Sequence, residues 1–182
     1  PYKYANEPDR LYSDSWARNP GVYGVFASMK EIQLAECECF KKEGPFIGSS
    51  VNVDIIRYAD VLLWRAEALI ETGQHNAALP LINQVRARAA NSTGRTQLAD
   101  GSDPSNYNIS QYDGSNMNWT QANAREALRW ERRLEFAMEG KRFFDLVRWG
   151  IAEETLNEYL STERNRRSYL QNANFTAGRD EY

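Results

Sequence analysis

The 182-residue sequence is poor in the residues that carry most enzymatic and metal chemistry. It holds one histidine, His75, and two cysteines, Cys37 and Cys39. A lone imidazole, expected at the surface in a hairpin turn, excludes a histidine-rich metal centre and leaves no base to spare for a Ser-His-Asp triad. No glycine-rich phosphate loop is present, because Gly44, Gly48 and Gly73 lack both the spacing and the Lys-Ser/Thr sequel. Asp100, Ser102 and Asp103 miss the spacing of a calcium loop. No metal and no cofactor is therefore expected. Long apolar runs are lacking too. Val61-Leu62-Leu63-Trp64 ends at Arg65, whereas a spanning helix needs roughly 20 apolar residues. Nor is there an excess of one charge: 22 Lys plus Arg against 25 Asp plus Glu leave a formal net charge of −3. Nucleic acid, which wants a strongly basic face, is not expected as a partner.

The start of the chain lacks an initiator Met and a positive segment followed by an apolar one, so a processed chain or a fragment is expected. Leu34-Ala35-Glu36-Cys37 fails as a lipoprotein cleavage box, since Glu36 stands where a small residue is required. Cys37 and Cys39, two apart, point to opposite faces of an extended segment, so two unpaired thiols are expected. Asn91, Asn108, Asn118 and Asn174 each open an Asn-x-Ser/Thr triplet, which matters only in a eukaryotic secretory pathway.

What is present is ordinary globular material, 42% apolar and 26% charged, enough for one domain. Aromatics are plentiful, with 5 Trp, 10 Tyr and 7 Phe. The first fifty residues are broken by Pro8, Pro20, Gly21, Gly24, Gly44, Pro45 and Gly48 and read as irregular, with a helix from Val25 to Cys39 or a strand near Cys37 to Lys41 left open. From Asp54 apolar residues recur at helical spacing, and helices are expected over 54–72, 74–90, 121–139, 141–149 and 151–160. The short connection Gly73-Gln74-His75-Asn76 makes the first two antiparallel, like one tetratricopeptide repeat. A single hairpin cannot bury both of its faces, so it must stack on something. Residues 91–118 form a long polar loop. The expected fold class is all-α, with tetratricopeptide-like hairpins and long irregular loops. It divides into an aromatic-rich segment 1–53, a helical domain 54–160 and an irregular tail 161–182.

The most informative block runs from Leu128 to Gly150, LRWERRLEFAMEGKRFFDLVRWG. Its charges are interleaved with large apolar residues, so some must lie near the core. Buried charges are tolerated when paired and hydrogen-bonded, a role for which the planar arginine fork is suited. Pairs three apart, Arg132 with Glu135, Glu139 with Arg142 and Asp145 with Arg148, are expected to meet. A catalytic carboxylate pair, Glu135 with Glu139, is the competing reading. Arginine within reach of every carboxylate lowers its pKa and disfavours it as a general acid.

This block resembles the C-terminal signature of the SusD/RagB family of outer-membrane nutrient-binding lipoproteins. The matching elements are Glu131-Arg132-Arg133, Glu135, Glu139-Gly140, Arg142, Asp145 and Arg148-Trp149-Gly150. The hairpin matches as well, through Arg57-Tyr58-Ala59-Asp60-Val61-Leu62-Leu63, Ala66-Glu67-Ala68 and Ile82-Asn83-Gln84-Val85-Arg86-Ala87-Arg88-Ala89. Members of the family are two to three times longer and begin at a lipidated cysteine, so the chain is expected to be a C-terminal portion. The resemblance implies a non-catalytic protein held at the outer membrane, at the cell surface, by a lipid anchor absent from this chain. Such proteins capture oligosaccharides as a lid on a TonB-dependent transporter. A peptide-capturing lid of the same family, a helical-repeat scaffold that binds proteins, and a glycoside hydrolase using Glu135 are the rivals.

Sugar rings stack their C–H faces on Trp or Tyr while Asn, Asp and Arg read the hydroxyls. Those residue types gather outside the helical stripes at Tyr12, Trp16, Tyr107, Tyr112, Asn116 and Trp119, which are the expected ligand-binding residues. Rings of this kind also anchor loops against a core.

Overall fold

The computed structural model describes residues 3–4, 7–11, 30, 37–95, 97, 100–103 and 106–172. Two short antiparallel hairpins come first: β1 (Lys3–Tyr4) with β2 (Glu7–Leu11), and β3 (Phe40–Glu43) with β4 (Phe46–Ser49). In the second, Phe40 pairs with Ser49 and Glu43 with Phe46, and the turn passes through Gly44 at a φ of 62°. The regular elements that follow are helices: α1 (Tyr58–Glu71), α2 (His75–Ala90), α3 (Gln121–Glu135), α4 (Arg142–Arg148) and α5 (Ala152–Arg166). Single 3-10 turns lie at Thr93–Arg95 and Ser168–Leu170. The protein is all-α in class, the strands being confined to two-stranded ribbons. Among the described residues no helix is long and apolar enough to cross a membrane.

The expected helices are all present with shifted ends, and each shift has a local cause. α1 begins at Tyr58 instead of residue 54 because Arg57 is extended and its amide N–H donates to the Asp60 carboxylate at 3.2 Å, which caps the helix there. α3 stops at Glu135 instead of 139 because the connection to α4 takes Met138 to a φ of 68° and Gly140 to 74°. For Met138 that left-handed conformation is a strained one. α5 runs past residue 160 to Arg166, where Glu163 is buried and paired with Arg166 and Arg167. Thr120 caps α3 as its sequence position implies, its hydroxyl accepting the Asn123 N–H at 3.2 Å.

Residues 40–43 form a strand, close to the one expected near Cys37 to Lys41, while most of the range of the alternative helix, 25–29 and 31–36, lies outside the described residues. The expectation of two unpaired thiols is corrected. Cys37 and Cys39 are joined in a disulfide, because the segment is a turn and not extended: the Phe40 N–H donates to the Cys37 carbonyl at 2.9 Å, and the two Cα atoms lie 5.1 Å apart. His75 is also less exposed than expected, half-buried at the first position of α2.

The core explains how a lone hairpin is stabilised. Leu62, Leu63, Ala66 and Ile70 of α1 meet Ala78, Ile82 and Val85 of α2, and Ala124 and Leu128 of α3 close the cluster with Phe136. The hairpin therefore stacks on α3, which lays a third helix over its open face. Gln121 ties the layers by donating from Nε2 to the Ile70 carbonyl at 2.6 Å, satisfying one of the orphan groups at the end of α1. Other faces stay open: Trp64 on α1, Trp130 and Leu134 on α3, and Phe143, Phe144 and Val147 on α4 are exposed.

Candidate functional site

Two polar features stand on this scaffold, an ion network inside it and a groove on its outer side. The network is centred on Phe136, a ring only 3% exposed, around which Arg57, Arg132 and Lys141 place their cationic groups at 5.0, 4.9 and 5.2 Å from the centroid. Each cation is then neutralised. Arg132, whose side chain is 2% exposed, donates from Nε to Asp145 at 2.8 Å and lies 3.6 Å from Asp60. Lys141 Nζ meets the other Asp60 oxygen at 2.5 Å. Arg57 binds Glu135 at 2.7 Å and Glu139 at 2.8 Å, and Arg88 takes the second Glu135 oxygen at 2.6 Å. Lys30 adds a 2.6 Å pair with Glu139. Glu67 gathers the C-terminal end of the block, accepting from both terminal nitrogens of Arg148 and from Trp149 Nε1.

The expectation of buried, paired charge holds for Arg132, Glu135 and Asp145. Of the three short-range pairs, only Asp145 with Arg148 forms, at 2.9 Å. The other two are corrected. Arg132 turns to Asp145 and Asp60 instead of Glu135, and Glu139 turns to Arg57 and Lys30 instead of Arg142. Glu139 lies beyond the break after Glu135, which brings it to Arg57 and Lys30, whereas Arg132 stays on α3 but faces inward to Asp145 on α4 and Asp60 on α1. Arg142 packs over the Trp149 ring at 5.8 Å. Burial and the nearby Arg133 lower its pKa. Burial acts against ionisation of Glu139, but the hydrogen bonds from Arg57 and Lys30 outweigh it and hold its pKa below the usual carboxylate value. With Glu135 clasped by two arginines, the pair imagined for glycosidic cleavage is occupied on every side by cations.

The outer side is built by α2 and the loop that follows it. Asn83 holds this loop as a β-strand would: its Nδ2 donates to the Tyr112 carbonyl at 2.8 Å, and its Oδ1 accepts the Tyr112 N–H at 2.8 Å. Arg86 clamps one turn further, donating to the Ser110 carbonyl at 2.6 Å, pairing with Glu131 at 2.8 Å and lying 4.6 Å over the Tyr112 ring. Burial raises the pKa of Tyr112, with Arg86 working the other way, and burial likewise raises that of Glu131 against its arginine. Between helix and loop runs a shallow groove of about 400 Å³ lined by Leu79, Pro80, Asn83, Gln84, Ala87 and Gln111. Apolar surface beside primary amides is suited to a sugar, whose ring faces are apolar and whose edges are hydroxyls.

The expected ligand residues fall unevenly on this region. Tyr112 and Trp119 are brought together, ring centroids 5.7 Å apart, and both pack partly buried against the core cluster. Trp119 donates from Nε1 to the His75 carbonyl at 2.8 Å. Asn116 is exposed and closes the loop turn, accepting from the Asp113 amide and donating to the Gln111 carbonyl at 2.7 Å, beside the groove. Tyr107 is half-buried on the same loop. Tyr12 and Trp16 lie outside the described residues. Sequence reasoning missed Asn83, Gln84, Arg86 and Gln111. The signal available was a pair of amides and an arginine within the polar face of α2, which is unremarkable until the loop is seen to lie over it.

In the Leu128 to Gly150 block every carboxylate, Glu131, Glu135, Glu139 and Asp145, is held in an ion pair, and amides and aromatics line the groove and its loop. Comparison with known proteins supplies the family. The model of the SusD family (SusD_RagB) matches residues 41–181, well over half of the sequence, and the chain belongs to that family. It is also similar to the SusD-like protein P38 of Formosa agariphila, 37% identical over 106 residues. That match takes in 58% of this chain and 18% of the relative, so the chain spans well under two thirds of the relative's length.

Proposed function

We propose that the protein carrying this chain captures oligosaccharides at the cell surface and hands them to a TonB-dependent outer-membrane transporter without breaking a bond. Membership of the SusD family carries the reading. The groove beside α2 supports it locally, since Gln84 and Gln111 present amides next to Leu79 and Pro80. In this reading Tyr107, Tyr112, Asn116 and Trp119 form the ligand surface of the loop, and Tyr12 and Trp16 contribute from the first segment. The helical unit 54–160 is the platform that holds them, and a lipid anchor outside this chain fixes the whole at the outer membrane. The ion network is structural: it joins α1, α2 and α3 at their ends and keeps the groove's two walls in register.

Calorimetry of the protein against a panel of oligosaccharides, with chromatography of the sugars afterwards, tests both halves of the proposal. Saturable binding with the glycan recovered intact supports capture. Released sugar from a clean preparation overturns the non-catalytic claim. Saturable peptide binding with no glycan response transfers the assignment to a peptide-capturing lid, and binding of neither, with a protein partner instead, to a helical-repeat scaffold.

A further inference from the structure

Away from the groove, α3 and α4 hold arginines that the ion network leaves out. Arg129, Arg133 and Arg142 have no carboxylate within ion-pair distance among the described residues, whereas the neighbouring Arg132 and Arg148 each pair with Asp145, although Nη1 of Arg132 is also buried without an acceptor. Nε of Arg129 and Nη1 of Arg142 are buried without an acceptor, and the remaining nitrogens of both reach the surface. The arginines are held together by aromatic surface. Arg129 and Arg142 lie over the Trp149 ring at 5.1 and 5.8 Å, and Arg133 lies over Trp130 at 5.0 Å. Arg129 and Arg133 stand one turn apart on α3, and Arg129 shares the Trp149 ring with Arg142; in keeping with that, the pKa of Arg142 is lowered by burial first, then by Arg133, with Arg129 adding to it. Of the acidic groups that work the other way, Asp145 is already shared by Arg132 and Arg148, and Glu126 lies one helical turn before Trp130.

Concentrating like charge costs free energy unless something neutralises it. Three guanidinium forks against two indoles, one of them 46% exposed, form a site for a planar or tetrahedral oxyanion attached to a ring that can stack. We infer that Arg129, Arg133 and Arg142 with Trp130 form a subsite for the carboxylate or sulfate group of an acidic sugar, so that the captured glycan is an anionic one. The ring of that sugar lies against Trp130, and its charged substituent meets the arginines. This rests on the glycan reading above and narrows it. The groove beside α2, with its amides, then accommodates neutral parts of the same or another chain.

The test uses the intact protein and four probes: a uronic acid oligosaccharide, its methyl-esterified neutral form, a sulfated oligosaccharide of the same length, and an acidic peptide of equal charge. Binding is followed by calorimetry and by the indole fluorescence of the parent against Trp130→Phe. Expected is an affinity for at least one anionic oligosaccharide ten times or more above that for the neutral form, falling as salt is raised. Arg133→Gln, an exposed residue with no ion pair to lose, is expected to weaken that binding about tenfold while leaving the melting temperature unchanged. Arg142→Gln acts likewise, and Arg142→Lys recovers part of it. The carboxylate and sulfate arms tell which oxyanion is preferred. Equal binding of the charged and neutral sugars overturns the anionic subsite and leaves glycan capture standing. Binding of neither overturns both. Preference for the acidic peptide over both charged sugars, or no effect of Arg133→Gln on anionic binding, also refutes the subsite.

Discussion

Arg57, immediately before α1, donates to Glu135, the last residue of α3, at 2.7 Å across 78 residues of chain. The same carboxylate accepts from Arg88 of α2 at 2.6 Å, so one buried glutamate ties three helices at a common end. Such a pairing adds little net stability over apolar packing, but removing one member leaves the rest uncompensated in a medium that solvates charge poorly. It fixes which helix ends meet, and through them the position of the loop that crosses α2.

Arg132 is the most demanding member, facing both Asp60 and Asp145 with all three side chains nearly fully buried. Arg132→Ala should cost about 3 to 5 kcal/mol, the usual penalty for breaking a buried pair. Arg142→Ala should cost no more than about 1 kcal/mol, since it has no ion partner among the described residues and loses only its packing on Trp149. Denaturant melts of the two variants beside the parent check this. Similar losses in both would show that the network does not discriminate between the two arginines.

Glu139 gives the network a pH dependence of known sign. Its folded-state pKa lies below the value in the unfolded chain, because the hydrogen bonds from Arg57 and Lys30 outweigh its burial. The stability it contributes is present above the unfolded pKa of about 4.3 and is lost as pH falls through the lower folded value. Glu131, raised by burial, runs the other way, contributing stability below about pH 4.3 that is lost as pH rises through its folded pKa. Glu139→Gln should therefore flatten the acid limb of stability against pH, and Glu131→Gln should steepen it slightly. Thermal melts between pH 3 and 7 read both slopes; an unchanged acid limb in Glu139→Gln would contradict the assignment.

Much of this architecture was legible in the residues. Apolar spacing gave every α-helix among the described residues, and Gly73 and Thr120 marked ends because a left-handed turn or a hydroxyl cap was needed there. The buried charge of the Leu128 to Gly150 block followed from its interleaving with apolar side chains. The partners did not, because Arg132 chooses between Glu135, three residues away, and Asp60 on another helix, and spacing along one helix is silent about the second. The Cys37–Cys39 bridge was missed because the geometry assumed a strand where the backbone turns. The groove was illegible for a further reason: Asn83 becomes a site element only through the backbone of Tyr112, which carries no side-chain signature.

Asn83 also offers a direct test of the loop. Replacing it with Ala leaves the Tyr112 N–H and C=O without their partner, at a cost of about 1 to 3 kcal/mol for a partly buried pair. Asn83→Asp should fall between, since its carboxylate still accepts from the Tyr112 N–H but cannot donate to the carbonyl. Limited proteolysis should cleave the segment around Tyr112 faster in Asn83→Ala than in the parent. Equal cleavage would mean that Arg86 alone holds the loop, through its bond to the Ser110 carbonyl.

The rings assigned to ligand contact have different obligations to the fold, and the variants must be read accordingly. Trp119 bonds the His75 carbonyl and packs on the core cluster, so Trp119→Ala should unsettle the protein as well as its binding, and loss of affinity there would not isolate a contact. Trp119→Phe keeps a ring and gives up the hydrogen bond, at about 1 kcal/mol of stability. Tyr112→Leu keeps the apolar packing beneath Arg86 and gives up the aromatic face. If the loop stacks on a sugar, Tyr112→Leu should weaken glycan binding by about 1 to 2 kcal/mol, with a smaller change in melting temperature than Trp119→Ala. Tyr107→Ala and Trp16→Ala extend the series to the other proposed contacts. Calorimetry on each variant, paired with its melt, separates the two effects: affinity that tracks stability marks a ring as a loop anchor, and affinity that falls while stability holds marks it as a ligand contact. Should every ring behave as an anchor, glycan contact would shift from the loop to the groove residues Gln84 and Gln111, where Gln84→Ala should then carry the loss.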